Sequence, residues 1–365
     1  MIRLLCVAGA RPNFVKIAPL HRAFTAHPAL SSRIVHTGQH YDRKMSDVFF
    51  EQLGIPEPDV HLGVGSGTHA QQTAAVMVAM EAEMVARRPD ALLVVGDVNS
   101  TLAAALAAVK LHIPVVHVES GLRSGDRGMP EEINRIATDA ISDYCFVTER
   151  SGMEHLAAEG VPEHKRFMVG NVMIDSLMAI KPRAEAVGQA KAMGLSDPYA
   201  LVTLHRPATV DDRDNLTRAL GHLEELAEVL RPVLPLHPRT RARLEAFGLL
   251  ERLEALPGIV LAAPMGYVEF TSLMMTSTLV FTDSGGIQEE TTALGVPCVT
   301  MRPSTERPVT IEVGTNVLFP VERSGLGALA RKARDGEWKQ GALPEGWDGQ
   351  AAGRVADILA KELGG

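Results

Sequence analysis

ALLVVGDVNSTLAAALAAVKLHIPVVHVES (91–120) contains two short apolar runs, ALLVVGD (91–97) and PVVHVES (114–120), on either side of a helix-period segment at 99–112. Both runs are rich in β-branched residues and bounded by Gly, Pro or Asp. That is the pattern of strands buried on both faces of a parallel sheet. Moving outward, IRLLCVAG (2–9), SRIVHTG (32–38) and DYCFVTE (143–149) have the same character, with helical candidates at 13–27, 42–53, 69–88 and 130–142. A second series follows: YALVTLH (199–205), RPVLPLH (231–237), GIVLAA (258–263), STLVFTD (277–283) and VPCVTMR (296–302). Helices are expected between and after them, at 211–229, 239–247, 266–275, 285–295 and 324–334, with a last one at 348–363. The alternation predicts an α/β protein of two doubly wound parallel-sheet domains facing each other across a cleft. The stretch 170–198, with Pro182, Gly188, Gly194 and Pro198, reads as a helical link between them. The expected domains are therefore 1–170, completed by a C-terminal helix at 350–365, and 171–349.

The 365 residues suit two domains at ~150 residues each. A net charge of −8 is wrong for a general nucleic-acid or anionic-membrane binder, so an anionic ligand must meet a local cluster of cations. Cys6, Cys145 and Cys298 are far apart in apolar runs, with no metal pair and no disulfide framework. No run of ~18 apolar residues or leader pattern is present, so a cytoplasmic protein without membrane segments is expected. None of the histidines has a metal-ligand spacing, and no metal or cofactor is expected.

Open α/β sheets bind ligands beyond the carboxyl ends of their strands. Here those ends carry GARPNFVK, DVNS, ESGLRS, HRP, HPRT and DSGGIQEE, a concentration of cations, carboxylates, histidines and glycines. In GARPNFVKIAP (9–19), Pro12 suits a first helical position, and Arg11 and Lys16 lie beside a helix N-terminus that attracts anions. The ordinary alternative is a turn with two solvated cations. In DSGGIQEE (283–290), Ser284 or Asp283 is placed to cap a helix whose Gly285 and Gly286 let a diphosphate approach the backbone. Glu290, four residues beyond Gly286, is placed to accept ribose hydroxyls. In MPEEINRIATDAI (129–141), Ile133, Ile136, Ala137 and Ala140 form an apolar stripe, and Glu131 and Arg135 fall opposite it, where a surface ion pair is the ordinary reading. Asp97 and Glu119 end neighbouring strands and suit proton transfer; His205 and His237 end two strands of the other domain. GVGSG (63–67) has no strand expected before it and reads as a loop. TGQHYD (37–42) offers Gln39 and His40, with Asp42 as a helix cap.

Taken in order, GARPNFVKIAP, TGQHYD, VVGDVNST, HVESGLRSGDRGMPEEINR, TLHRP, PLHPRT, DSGGIQEE and RPSTERPVTIEVGTN (302–316) cover nearly the whole chain. Together they resemble the non-hydrolysing UDP-N-acetylglucosamine 2-epimerases, which have the GT-B architecture. The resemblance implies two Rossmann-like domains, a C-terminal helix crossing back to the first, and a homodimer. It implies reversible conversion of UDP-N-acetylglucosamine to UDP-N-acetylmannosamine for surface-polysaccharide precursors. The route is anti elimination of UDP to 2-acetamidoglucal and re-addition, without nicotinamide or metal. It carries catalytic roles onto Asp97, Glu119, Glu131 and His205, with Asp97 and Glu119 as the proton-transfer pair. Arg11, Lys16, Arg135 and Arg307, together with His205, fall on the departing diphosphate. His237 joins the substrate-binding set; Ser284, Gly285, Gly286 and Glu290 fall on phosphate and ribose, and Phe270 against the uracil.

The resemblance departs at HRPATVDD (205–212), where many bacterial members read HRREN or HRAEN. Pro207 replaces the Arg or Ala, and the Glu is absent. In members activated by a second substrate molecule, residues there and in the Gln-His of TGQHYD contact that molecule, so the resemblance carries no expectation of such activation. Rival readings are a 2-epimerase of UDP-2,3-diacetamido-glucuronic acid, a GT-B glycosyltransferase, a hydrolysing epimerase and a nucleotide-sugar-binding regulator.

Overall fold

The computed structural model describes residues 1–38 and 52–364 and, at Arg11, the backbone alone. The chain splits into two compact units, Met1–Ala179 with Glu345–Gly365, and Ile180–Pro344. Each is built on one wholly parallel sheet. In the first, β1 (Ile2–Ala8), β2 (Leu30–His36), β3 (Val60–His61), β4 (Ala91–Val95), β5 (Val115–Ser120), β6 (Tyr144–Val147) and β7 (Arg166–Met168) lie in the order 3-2-1-4-5-6-7. In the second, β8 (Tyr199–Thr203), β9 (Arg231–Pro235), β10 (Val260–Ala262), β11 (Leu279–Thr282), β12 (Cys298–Thr300) and β13 (Asn316–Leu318) lie in the order 10-9-8-11-12-13. The strand order reverses between β1 and β4 and again between β8 and β11, the switch points beside which such sheets bind ligands.

Burial explains the choice of strands. Every residue of β4 is buried, covered by the alanine-rich helix Asn99–Lys110 and by helix Arg11–Ala26. Each fully buried Leu or Val there contributes about 1.5–3 kcal/mol relative to exposure. The three strands absent from the sequence reading, β3, β7 and β13, are all at sheet edges and two or three residues long. An edge strand needs no continuous apolar run. Consequently GVGSG does follow a strand, β3, contrary to expectation, and Gly63 packs under Gly38 so closely that a Cβ on Gly38 would meet it at 3.0 Å. Helices Arg150–Ala158, Leu250–Glu254 and Val309–Glu312 were likewise not expected. The stretch after residue 170 holds helices Val172–Val187 and Gln189–Ala192. Most of the helix expected at 42–53, with Gln39, His40 and Asp42, lies outside the described residues.

The helix Pro130–Ile141 reverses its sequence reading. Its buried residues are Glu132, Asn134, Arg135, Thr138 and Asp139, whereas Ile133 is 40% exposed and Ala140 is exposed. The apolar stripe is the outer face. The polar face is buried because it supplies partners to the strand ends.

Candidate active site

In the first unit the site grows from three consecutive carbonyls at the end of β4. Val95 O accepts from Asn13 Nδ2 at 3.2 Å and Thr101 Oγ1 at 3.0 Å, and Asp97 O accepts from Asn134 Nδ2 at 2.9 Å. Gly96 O, between them, is also held by a side chain, described below. Asn13 also accepts the Gly9 and Ala10 amides through Oδ1, tying the turn before helix Arg11–Ala26 to β4. This fixed backbone presents the Asp97 carboxylate to Arg135 Nη1. Arg135 also donates to Glu132 Oε2 from Nη2 at 2.7 Å and Nε at 3.1 Å. Its acidic partners are thus Asp97 and Glu132, not a surface pairing with Glu131, and the guanidinium is buried. The register of the helix decides this, since position 132 turns inward and 131 sits half-buried at its start. Burial alone would raise the Glu132 carboxyl; the Ser124 amide, Arg135 and the Gly125 amide outweigh it and hold it below its ordinary range.

Glu119 lies beside this pair, buried, with its carboxylate accepting from Lys16 Nζ. Its backbone is left-handed, φ +74°, where the β5–β6 register shifts. A non-glycine residue there is strained by about 1–3 kcal/mol, and such strain gathers at functional positions. Gly96, itself at φ +66°, makes the contact possible: a Cβ there would meet Lys16 Nζ at 3.1 Å and Glu119 Oε2 at 3.3 Å. The structure therefore brings Lys16, Asp97, Glu119 and Arg135 together. Lys16 and Arg135, expected on a diphosphate, are each engaged by a carboxylate here.

The second unit carries a cationic cradle. Ser284 is the N-cap of helix Gly285–Leu294 but makes no side-chain cap bond. The Asp283 carboxylate turns away from that role as well. Buried, it accepts the His205 and Arg206 amides at 2.9 Å each and lies 3.1 Å from His205 Nδ1. Burial would raise the Asp283 carboxyl; the His205 ring and these amides hold it below its ordinary range. The His205 ring is 41% exposed and 5.9 Å from that of His237, whose Nδ1 accepts the Arg239 amide. Against the first turn of the helix stand Arg206, Arg302 and Arg307 around the buried Glu306. A Cβ on Gly285 would meet Arg307 Nη1 and Glu306 Oε1, each at 3.1 Å. Burial opposes the Glu306 charge, but Arg307, Arg302 and Arg206 drive its pKa strongly down. Arg307 also lies 2.8 Å from Glu289. Gly286 is half-buried in the same turn. One turn on, Glu290 is buried and accepts from the Tyr267 hydroxyl at 2.6 Å; burial raises its pKa to about 7. Phe270 is half-buried against the apolar cluster around Leu201 and Leu273.

Sequence reasoning missed Asn13, Asn134, Glu132, Tyr267, Arg302 and Glu306. For Glu132, Asn134, Arg302 and Glu306 the signal was present in PEEINR and in the RPSTER run, but only the fold shows which residues turn inward; Asn13 and Tyr267 carried no signal. Among the described residues no group of three His, Cys, Asp or Glu is placed to hold a metal ion.

A sequence-family model described as UDP-N-acetylglucosamine 2-epimerase matches residues 22–360. The chain belongs to that family. It is accordingly an isomerase, and its two parallel-sheet units are those of the GT-B fold. The epimerase is 41% identical to the UDP-N-acetylglucosamine 2-epimerase of Methanocaldococcus jannaschii, over 98% of this chain and 99% of that one. It is 43% identical to the UDP-2,3-diacetamido-2,3-dideoxy-D-glucuronate 2-epimerase of Pseudomonas aeruginosa, over 99% of this chain and 100% of that one. A crystal structure of the M. jannaschii enzyme in complex with UDP-GlcNAc and UDP matches with a TM-score of 0.89 at 39% identity, covering 99% of this chain and 100% of that one. A MurG structure from Acinetobacter baumannii, at 14% identity and a TM-score of 0.53, shares the fold alone; it covers 98% of this chain and 99% of that one.

Proposed function

We propose that the chain interconverts UDP-N-acetylglucosamine and UDP-N-acetylmannosamine in the cytoplasm, supplying precursors of surface polysaccharide. The observation that carries this reading is the pair of carboxylates, Asp97 and Glu119, at adjoining strand ends, each with a cation against it. The hydrogen at C2 of the sugar is not acidic. Cleavage of the C1–O bond, with the electron pair leaving on UDP, develops positive charge on the ring first. A carboxylate then removes the C2 proton to give 2-acetamidoglucal, and its counterpart returns a proton to the opposite face as UDP re-adds. Asp97 and Glu119 are the proton-transfer pair, and Glu131 adds negative charge near the sugar. His205, oriented by Asp283 through Nδ1, acts through Nε2 on the departing diphosphate with Arg307 and Arg11. Arg206 and Arg302 join that cluster, and the amides of Gly285 and Gly286, with the Ser284 hydroxyl, bind phosphate oxygens. His237 completes the phosphate set, Glu290 takes the ribose hydroxyls and Phe270 the uracil. Three buried free cysteines suit a reducing compartment.

A second reading has a specific support: the full-length 43% identity to the diacetamido-glucuronate epimerase. Assay of both nucleotide sugars in deuterated water, followed by NMR, tests the two together. The expected result is deuterium at C2 of both UDP-N-acetylglucosamine epimers, with Asp97→Asn and Glu119→Gln each lowering kcat at least ~10³-fold. Turnover of the diacetamido-uronate alone selects the second substrate; unlabelled product rejects the elimination.

The epimerase also acts as a homodimer in this proposal. Met77, Val78 and Val85 on helix His69–Ala86, and Ile133 on Pro130–Ile141, are exposed, and both helices pack on Asn99–Lys110. Exposed apolar side chains on neighbouring helices are the kind of surface that two copies cover in an isologous pair.

A further inference from the structure

His117 is wholly buried on β5, two residues before Glu119, and enters none of the chemistry above. Both of its ring nitrogens face an acceptor. Nε2 donates to Gly96 O at 2.8 Å, and Nδ1 lies 2.6 Å from Asp139 Oδ1. The second Asp139 oxygen accepts the Gly121 amide at 3.0 Å and Arg123 Nη2 at 2.7 Å. In the preceding peptide, the Gly96 N–H donates to Val118 O at 3.1 Å. Two left-handed positions, Gly96 and Gly121, are thus tied together by one imidazole and one carboxylate, and a third, Glu119, lies between His117 and Gly121 in the chain.

We propose that His117 is a positioning residue for the two proton-transfer carboxylates, acting through the Gly96 carbonyl; this rests on the epimerase reading above. The direction of that carbonyl fixes the Gly96–Asp97 peptide plane, and with it the line along which Asp97 leaves the backbone. The same plane keeps the Gly96 Cα against the Lys16–Glu119 pair, where there is no room for a Cβ. Rotation of this one peptide unseats both carboxylates. Asp139 holds the ring in register for the contact, since it is itself anchored by Gly121 and Arg123. The arrangement gives His117 no access to solvent or substrate, so its effect falls on orientation and not on proton transfer.

Two substitutions in the full chain separate the two ring nitrogens. Gln places its amide nitrogen near Nε2 and keeps the donor to Gly96 O; Asn places its amide near Nδ1 and keeps only the contact with Asp139. In steady-state epimerisation of UDP-N-acetylglucosamine, His117→Asn is expected to lose about 10²-fold in kcat, with KM within about threefold, because a displacement near 1 Å has that effect on reacting groups. His117→Gln is expected to stay within about tenfold of the parent kcat by restoring the hydrogen bond. Equal losses in the two variants, a loss in KM alone, or full activity in His117→Asn overturns the proposal. Crystal structures of the variants give a readout that needs no turnover. The Gly96–Asp97 peptide should move and the Asp97–Arg135 pair open in His117→Asn, and both should stay in His117→Gln. An unmoved peptide in His117→Asn overturns the positioning role. If His117→Asn does not fold, a His117→Gln enzyme that keeps the Gly96 carbonyl in place yet loses 10²-fold in kcat does the same. A parent protein that epimerises neither nucleotide sugar rejects the epimerase reading instead, and the crystallographic comparison then decides the peptide's dependence on His117 by itself.

Discussion

Glu290, proposed above to take the ribose hydroxyls, is a carboxyl whose burial works against its own charge. It is buried one turn into a helix, its single described hydrogen bond comes from Tyr267, and burial raises its pKa from 4.5 to about 7. A carboxyl whose folded pKa exceeds its unfolded one holds a proton in the native state that the unfolded chain releases. Stability from this group is therefore complete below pH 4.5 and declines as pH rises towards about 7. Asp283 and Glu306 work in the opposite sense: their pKa values are lowered, so their contribution is present at neutral pH and lost on acidification. The total curve mixes these effects, and a difference isolates one. In urea denaturation of the ligand-free protein, Glu290→Gln should gain stability relative to the parent as pH rises from 4.5 to 7, with no further gain above. The same substitution should weaken UDP binding by about tenfold in calorimetry, as the loss of a charged acceptor for ribose hydroxyls does. A stability difference that is flat with pH would show that folding leaves the Glu290 pKa at its ordinary value.

The helix Pro130–Ile141 explains what sequence pattern could and could not deliver. Strands β1, β4, β5 and β6, and the second half of β2, are legible because both faces are covered, which demands nearly continuous apolar runs. Edge strands β3, β7 and β13 carry no such demand and left no pattern. In the helix the usual rule inverts. Its inner face is Glu132, Asn134, Arg135 and Asp139, spent on the loop 120–129, on Asp97 and on His117; the outer face has the isoleucine. An apolar period alone points the helix the wrong way, and moves the acidic partner of Arg135 from Glu132 to Glu131. The inversion has a consequence for assembly. Ile133 is 40% exposed, Val78 66% and Val85 67%, and the proposed homodimer would cover these side chains. Val78→Asp combined with Ile133→Lys should shift the protein to a monomer in sedimentation velocity while its far-UV circular dichroism is unchanged. A dimer persisting in the double variant would move the interface elsewhere.

The chain leaves its first unit at residue 179 and returns at 345, so the second unit is continuous in sequence and the first is not. Continuity alone cannot hold the returning segment; local chemistry must. Trp347 is fully buried and donates from Nε1 to Thr148 O, just past β6, at 3.0 Å. Asp175, in the helix Val172–Val187, accepts the amides of Ala351 at 3.1 Å and Ala352 at 2.7 Å, the first donors of the last helix. That helix, Ala351–Glu362, then lies on helix Arg11–Ala26, which carries Lys16 towards Glu119. The end of the chain thus supports the element that supplies one of the site's cations. Two substitutions distinguish volume from hydrogen bonding at the anchor. Trp347→Ala should cost about 3–5 kcal/mol in urea denaturation, because it opens a cavity as well as removing apolar contact. Trp347→Phe keeps most of the ring volume but leaves Thr148 O without its donor, and should cost about 1–3 kcal/mol. If the phenylalanine variant matches the parent, the indole serves by shape alone, and Asp175 remains as the polar tie that brings the returning segment home.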